Sequence, residues 1–291
     1  MRLGRALAAL ALAAGTAACG MLETVERNLV FRPVTEDWHG YSRQILEEED
    51  VWIPVGTEGE RLHGWWLASP GAAHTLVYFH GARVNLTSSV YRLRAFRNAG
   101  FNVLAVDYRG FGRSSPATPS ENSAYEDALA AWQWLRSREP DCRRRILYGH
   151  SLGATVAAEV ARREGDAAAL VLEAAFTSLG EMTVLAPLVT QRFDLLDKMK
   201  GIRLPVLVVH GAEDSVVPPG MAQRLFDAAR GPKRLIMVEG AGHRWVAFRA
   251  GQALYDALRE LAAAGGAKGG PGATSLANSC GTGAGANRSP G

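Results

Sequence analysis

The stretch "ILYGHSLGATVA", Ile146 to Ala157, puts one hydroxyl, Ser151, between a run that suits a buried strand and a small-residue run that suits a helix. Gly149 and Gly153 stand two residues to either side. At a sharp strand-to-helix turn, side chains at those positions would collide with neighbouring backbone. Glycine at both lets the serine take a strained conformation with its oxygen exposed at the helix N-terminus. The helix start also supplies a free amide at Leu152, aimed where negative charge develops on an attacked carbonyl. A helix-capping serine with packing glycines is the bland alternative, and it explains the glycines poorly.

A serine hydroxyl is a weak nucleophile until a base takes its proton. His243 is the best placed histidine, in a glycine-rich loop, "EGAGHRW", after the apolar run "RLIMVE" and before the last helix. His39, His63 and His74 lie away from strand ends. His80 and His210 each close a strand as His-Gly, where packing and loop support are the expected jobs, and His150 is expected to point away from solvent. The imidazole needs a carboxylate to fix its tautomer. Asp214 in "HGAEDSVVP" follows a strand and leads into a helix, with a turn aspartate as the bland reading and Glu173, at the end of "ALVLEA", as the rival acid. A second oxyanion donor is expected from "HGARVNL": the Ala82 amide, with Arg83 as the neighbouring option. The Arg83 side chain reads as a solvated loop residue rather than a substrate contact. No histidine or cysteine cluster has metal-ligand spacing, so neither metal nor organic cofactor is expected.

These residues need a frame. Two β-like runs, 50–55 and 61–68, read as an antiparallel hairpin. Thereafter apolar runs at 75–80, 102–108, 145–150, 169–174, 205–210 and 234–239 alternate with helical patterns near 88–99, 121–136, 151–163, 220–229 and 245–263. Continuous apolar runs suit strands covered on both faces, hence a mostly parallel sheet with right-handed crossovers. Ligands gather at the carboxyl ends of such strands, where Ser151, Asp214, His243 and Ala82 all fall. Residues 175–203 are too long for a simple connection and read as a short helical cap. Its Met182, Leu185, Leu188, Phe193 and Leu196 could face a substrate or pack on the body.

"LVYFHGARVNLTSSVYRLRAFRNAGFNVLAVDYRGFGRS", "YGHSLGA", "HGAEDSVVP" and "GAGH" together resemble the α/β-hydrolase superfamily, in particular its small-cap serine hydrolases with a serine aminopeptidase-like domain. The order Ser151, Asp214, His243 is the order of that superfamily. The resemblance spans about residues 50–263. It implies an α/β-hydrolase fold, a largely parallel eight-stranded sheet with helices on both faces and a short cap, with Ser151 as nucleophile, Asp214 as acid and His243 as base. It gives Asp107 and Arg109, in "DYRGFGRS", a structural role in tying loops together. The superfamily hydrolyses esters, thioesters, amides and some carbon–carbon bonds, so resemblance alone does not name the substrate. Aminopeptidase relatives carry a large cap, and the cap here is short and apolar. An acyl ester or thioester is therefore expected ahead of a peptide, with a non-catalytic envelope protein of the same fold as the competing class.

Across all 291 residues, 47% are hydrophobic and 21% charged, and the net charge of +3 is too small and dispersed to argue for nucleic acid as a partner. The run Arg143 to Arg145 reads as a solvated loop face. At the N-terminus, Arg2 and Arg5 precede an apolar stretch and small residues ending at Cys19, the layout of an export signal too short to span a bilayer. The cysteine after small residues resembles the lipobox of bacterial lipoproteins, with Thr16 replacing the usual leucine. Lipidation at Cys19 would tether the chain peripherally to the envelope membrane; cleavage after Ala18 without lipidation would leave it periplasmic or secreted. The expected organisation is a signal over 1–18, a lead segment over 19–49, a hydrolase domain over 50–264 with its cap at 175–203, and a Gly/Ala/Ser-rich tail over 265–291 too poor in large apolar residues to fold. Cys142 precedes a strand and Cys280 lies in that tail, so no disulfide is expected between them.

Overall fold

The computed structural model describes Gly20 and residues 23–41, 46, 48–184, 186 and 189–266. Cys19, Leu185, Leu188, Cys280 and nearly all of the 265–291 tail lie outside these residues.

The hairpin forms from β1 (Glu49–Pro54) and β2 (Arg61–Leu67), paired antiparallel with Pro54 opposite Arg61. The apolar runs that follow become β3 (His74–Phe79), β4 (Phe101–Val106), β5 (Arg145–His150), β6 (Ala169–Glu173), β7 (Val206–Gly211) and β8 (Lys233–Val238). They make one eight-stranded sheet in the order β1-β2-β4-β3-β5-β6-β7-β8. β2 runs antiparallel to β4, and every pairing from β4 to β8 is parallel. Successive side chains of a strand point to opposite faces. Val77 and Phe79 accordingly join one buried cluster while Leu76 and Tyr78 join the other. Both clusters need apolar residues, so the strands read as continuous hydrophobic runs.

Helix α1 covers residues 23–31. It is followed by α2 (Val90–Asn98), α3 (Glu121–Arg138), α4 (Leu152–Glu164), α5 (Leu195–Met199), α6 (Gly220–Ala228), α7 (Val246–Ala250) and α8 (Gln252–Gly266). Apolar residues of α3 to α6 pack on one face of the sheet, those of α2, α7 and α8 on the other. Ser120 and Ser123 cap α3 reciprocally, each side chain bonding the other's backbone.

One local reading changes. The last helix is two, α7 and α8, broken at Gly251, whose φ of +52° a helix cannot continue through. Among its described residues, the 175–203 segment holds a 3-10 turn at Gly180–Met182 and the short helix α5. Phe193 does not face a substrate: it is fully buried, edge-on to Phe31 at 5.7 Å and Tyr125 at 5.9 Å. Leu196 likewise packs against the core. Cys142 is disulfide-bonded.

The described part of the lead segment is tied down at several points. The Phe31 side chain is fully buried and its carbonyl accepts from the Arg83 amide at 2.9 Å. Glu26 accepts from the amides of Thr190 and Gln191 at 2.8 and 2.9 Å. Asn85 Nδ2 donates to the Glu36 carbonyl at 2.9 Å, and the Trp38 amide donates to Thr87 Oγ1 at 2.8 Å.

Candidate active site

Ser151 sits between β5 and α4 with φ +54° and ψ −121°, a region a non-glycine residue enters only under constraint. The glycines explain how. A Cβ on Gly149 would lie 2.2 Å from the Gly153 carbonyl oxygen, and one on Gly153 would lie 2.1 Å from the Phe79 carbonyl oxygen. Backbone cannot yield to either contact, so both positions accept only hydrogen. Leu152 is the first residue of α4, where amides have no acceptor within the helix.

Parallel strands deliver the other groups to the same edge of the sheet. His243, between β8 and α7, places Nε2 3.0 Å from Ser151 Oγ and Nδ1 2.8 Å from Asp214 Oδ2. An ionised carboxylate only accepts, so Nδ1 carries the proton and Nε2 is left to accept from the serine hydroxyl. Asp214, in the loop after β7, accepts at Oδ1 from the amides of Val216 at 2.8 Å and Val217 at 2.9 Å. His210 Nε2 lies 3.2 Å from Asp214 Oδ2 and donates to the Val217 carbonyl at 3.0 Å. Burial alone would raise the Asp214 pKa, but the hydrogen bonds from His210, His243 and the Val217 amide outweigh it and hold the carboxyl well below its usual range.

The rival acid is elsewhere. Glu173 is fully buried and pairs with Arg92, accepts from Tyr148 Oη at 2.8 Å and from the Ala247 amide at 3.1 Å. Of the two oxyanion-loop amides, that of Arg83 is occupied by Phe31, which leaves Ala82 facing the groove. The Arg83 side chain is exposed at the groove wall. Asp107 Oδ1 accepts from the Leu86 amide at 2.9 Å, and Arg109 joins Glu60 of the β1–β2 loop at 3.1 Å to Asp127 and Glu126 of α3 at 2.6 and 2.7 Å.

His150 is buried, as expected, yet its place is within the site: Nε2 donates to the His243 carbonyl at 3.1 Å. Burial, with Arg92 nearby, lowers its pKa to about 3, so the ring is neutral. Its adjacency to Ser151 was the signal available in the sequence. Of the groove walls, Met182 was among the apolar residues marked in the sequence as able to face a substrate. The groove, about 720 Å³, takes Val30, Val34 and Trp38 from the lead segment, Phe176 and Met182 from the 175–203 segment, and Phe248 from α7.

A family model described as serine aminopeptidase S33 matches residues 71–200 and 182–247. Human alpha/beta hydrolase domain-containing protein 17B is 32% identical over 215 residues, 71% of this chain and 73% of that protein. The chain belongs to the α/β-hydrolase superfamily. An uncharacterized protein of Mycobacterium tuberculosis is likewise 32% identical to this α/β hydrolase, over 81% of the chain and 86% of the relative. In fold the hydrolase is similar to an esterase of Pyrococcus furiosus, with a TM-score of 0.62 and 20% identity over 81% of this chain and 96% of that one.

Proposed function

We propose that the chain is a serine hydrolase that cleaves carboxylic ester or thioester bonds of acyl substrates through Ser151, His243 and Asp214. The observation that carries this reading is the unbroken hydrogen-bonded line from Asp214 through His243 to Ser151, with the serine strained at the head of α4 and open to an apolar groove. His243 Nε2 takes the hydroxyl proton as Ser151 Oγ attacks the carbonyl carbon. The amides of Leu152 and Ala82 hold the oxyanion, and the ionised Asp214 stabilises the imidazolium. The imidazolium then protonates the leaving alcohol or thiol, and water deacylates the enzyme by the same route in reverse. A fluorophosphonate probe tests it: labelling that is lost in Ser151→Ala is expected, and labelling that persists in Ser151→Ala would overturn it.

Exposed aromatic residues around the groove favour an amphiphilic acyl substrate. Trp245 and Phe248 are 62% and 76% exposed, and Trp38 and Tyr91 stand edge-on across the rim at 5.9 Å. Sequence supports export with lipidation at Cys19, which would hold the groove beside a membrane. Incorporation of a fatty-acid analogue, compared with Cys19→Ala, decides the anchor.

A peptidase of the serine aminopeptidase type is the second reading. The matched family model favours it, as do the exposed carboxylates Glu36 and Asp37 on the groove wall, where an α-amino group could dock. The short 175–203 segment favours the ester. Turnover of p-nitrophenyl acyl esters against aminoacyl p-nitroanilides separates the two.

A further inference from the structure

We propose that Glu173 and Arg92 are positioning residues that clamp the His243 loop to the nucleophile turn and so set the distance between base and serine. The proposal rests on the Ser151–His243–Asp214 reading. His243 lies in a glycine-rich loop carried by β8, an edge strand with most of its residues partly or fully exposed. Ala241 and Val246 bury the two ends of the loop, and the Glu213 amide bonds the Ala241 carbonyl at 3.1 Å, but residues 242–245 between them are half-buried or exposed. Three hydrogen bonds from the nucleophile side hold that middle stretch and Ala247 beyond it: His150 Nε2 to the His243 carbonyl at 3.1 Å, Arg92 Nη2 to the Arg244 carbonyl at 3.1 Å, and the Ala247 amide to Glu173 Oε1 at 3.1 Å.

Glu173 links both halves. It pairs in register with His150 across β5 and β6, and its carbonyl accepts from the Ser151 amide at 2.8 Å. Its backbone therefore holds the nucleophile while its carboxylate holds the segment that follows the base. Arg92 neutralises that carboxylate and with its other nitrogen reaches the loop. A fully buried carboxylate persists only with such partners. Here each partner is either the base loop or a residue bonded to it, apart from the Tyr148 hydroxyl. The clamp touches no reacting atom.

Displacement of a catalytic group by about 1 Å can cost on the order of 100-fold in rate. Glu173→Ala is accordingly expected to lower kcat for a short p-nitrophenyl ester, and the rate of fluorophosphonate labelling, by roughly 10- to 100-fold, with KM within about twofold. Glu173→Gln keeps an oxygen for the Ala247 amide but turns an NH₂ toward Arg92, so it should recover only part of that loss, a graded response that a general folding defect would not give. Should Glu173→Ala fail to fold, Arg92→Lys carries the test. It keeps the positive charge beside Glu173, but one ammonium cannot also span to the Arg244 carbonyl, so a several-fold fall in labelling rate at an unchanged melting temperature is expected. Wild-type kcat in folded Glu173→Ala, a Glu173→Gln variant as impaired as the alanine, or unchanged labelling in Arg92→Lys would each overturn the clamp. A wild-type chain that does not label at Ser151 would instead overturn the serine-hydrolase reading.

Discussion

Asp214→Asn should abolish turnover through the tautomer of His243 rather than through loss of charge alone. The side chain at 214 is held from two directions. The amides of Val216 and Val217 donate to one oxygen, and His243 and His210 face the other. An asparagine must choose which atom meets which group. Turning its NH₂ toward the two backbone amides would oppose donors to donors at 2.8 and 2.9 Å, and neither amide can move or titrate. The carbonyl oxygen therefore stays with Val216 and Val217, and the NH₂ faces His243 Nδ1. To accept that bond the imidazole must carry its proton on Nε2, the nitrogen that should receive the proton of Ser151. Where an acid-to-amide change imposes the wrong tautomer, kcat falls about 10⁴-fold, or ~5.5 kcal/mol of transition-state stabilisation. The assay is steady-state hydrolysis of a p-nitrophenyl ester near pH 8, with a melting curve to show the fold intact. A loss smaller than about tenfold would refute the assignment of Asp214 as acid, and a larger loss in Glu173→Gln than in Asp214→Asn would return that role to the rival.

Phe31→Ala removes a fully buried ring that touches Phe111 and Phe193 and should destabilise the protein by about 3 kcal/mol in urea titrations. Because the Phe31 carbonyl holds the oxyanion loop at Arg83, fluorophosphonate labelling should slow as well. His150 has a folded pKa of about 3 against an ordinary 6.5, so below pH 6.5 the unfolded chain binds a proton that the folded one excludes. Its contribution is intact above pH 6.5 and falls by about 1.4 kcal/mol per unit as pH drops toward 3. His150→Gln, with a donor for His243 and nothing to titrate, should flatten that slope in denaturation measured from pH 7 to 4. Trp245→Ser with Phe248→Ser should raise KM for long-chain esters several-fold and leave acetate hydrolysis within about twofold, because both rings are exposed at the rim and away from the reacting atoms. An equal effect on both esters would discard the rim as an acyl contact.

The reacting groups were legible because local backbone demands leave local marks. Only glycine fits at 149 and 153, where a Cβ would strike carbonyl oxygens at 2.2 and 2.1 Å, so a five-residue pattern carries the geometry of the turn. The sheet was legible for a similar reason: strands covered on both faces write continuous apolar runs, and their ends mark the edge where ligands gather. Glu173 and Asp214 looked alike by the same rule, as acids following strands. What separates them is which one reaches His243, a distance across the sheet that no pattern along the chain encodes.

Beyond Met182, the groove was not legible, because its walls come from pieces far apart in sequence whose composition has another explanation. Phe193 and Leu196 could by sequence either face a substrate or pack on the body, and Phe193 is spent on Phe31 and Tyr125 inside the body. The walls are supplied in part by Val30, Val34 and Trp38, from a stretch that reads as a lead-in to the domain. One consequence bears on how substrate range is set. α1 holds both the 190–191 backbone, through Glu26, and the Ala82–Arg83 loop, through Phe31, so the lead segment joins a groove wall to the expected oxyanion donors. Changes in that segment should therefore alter rate and substrate selection together, whereas changes confined to Met182 should alter selection alone.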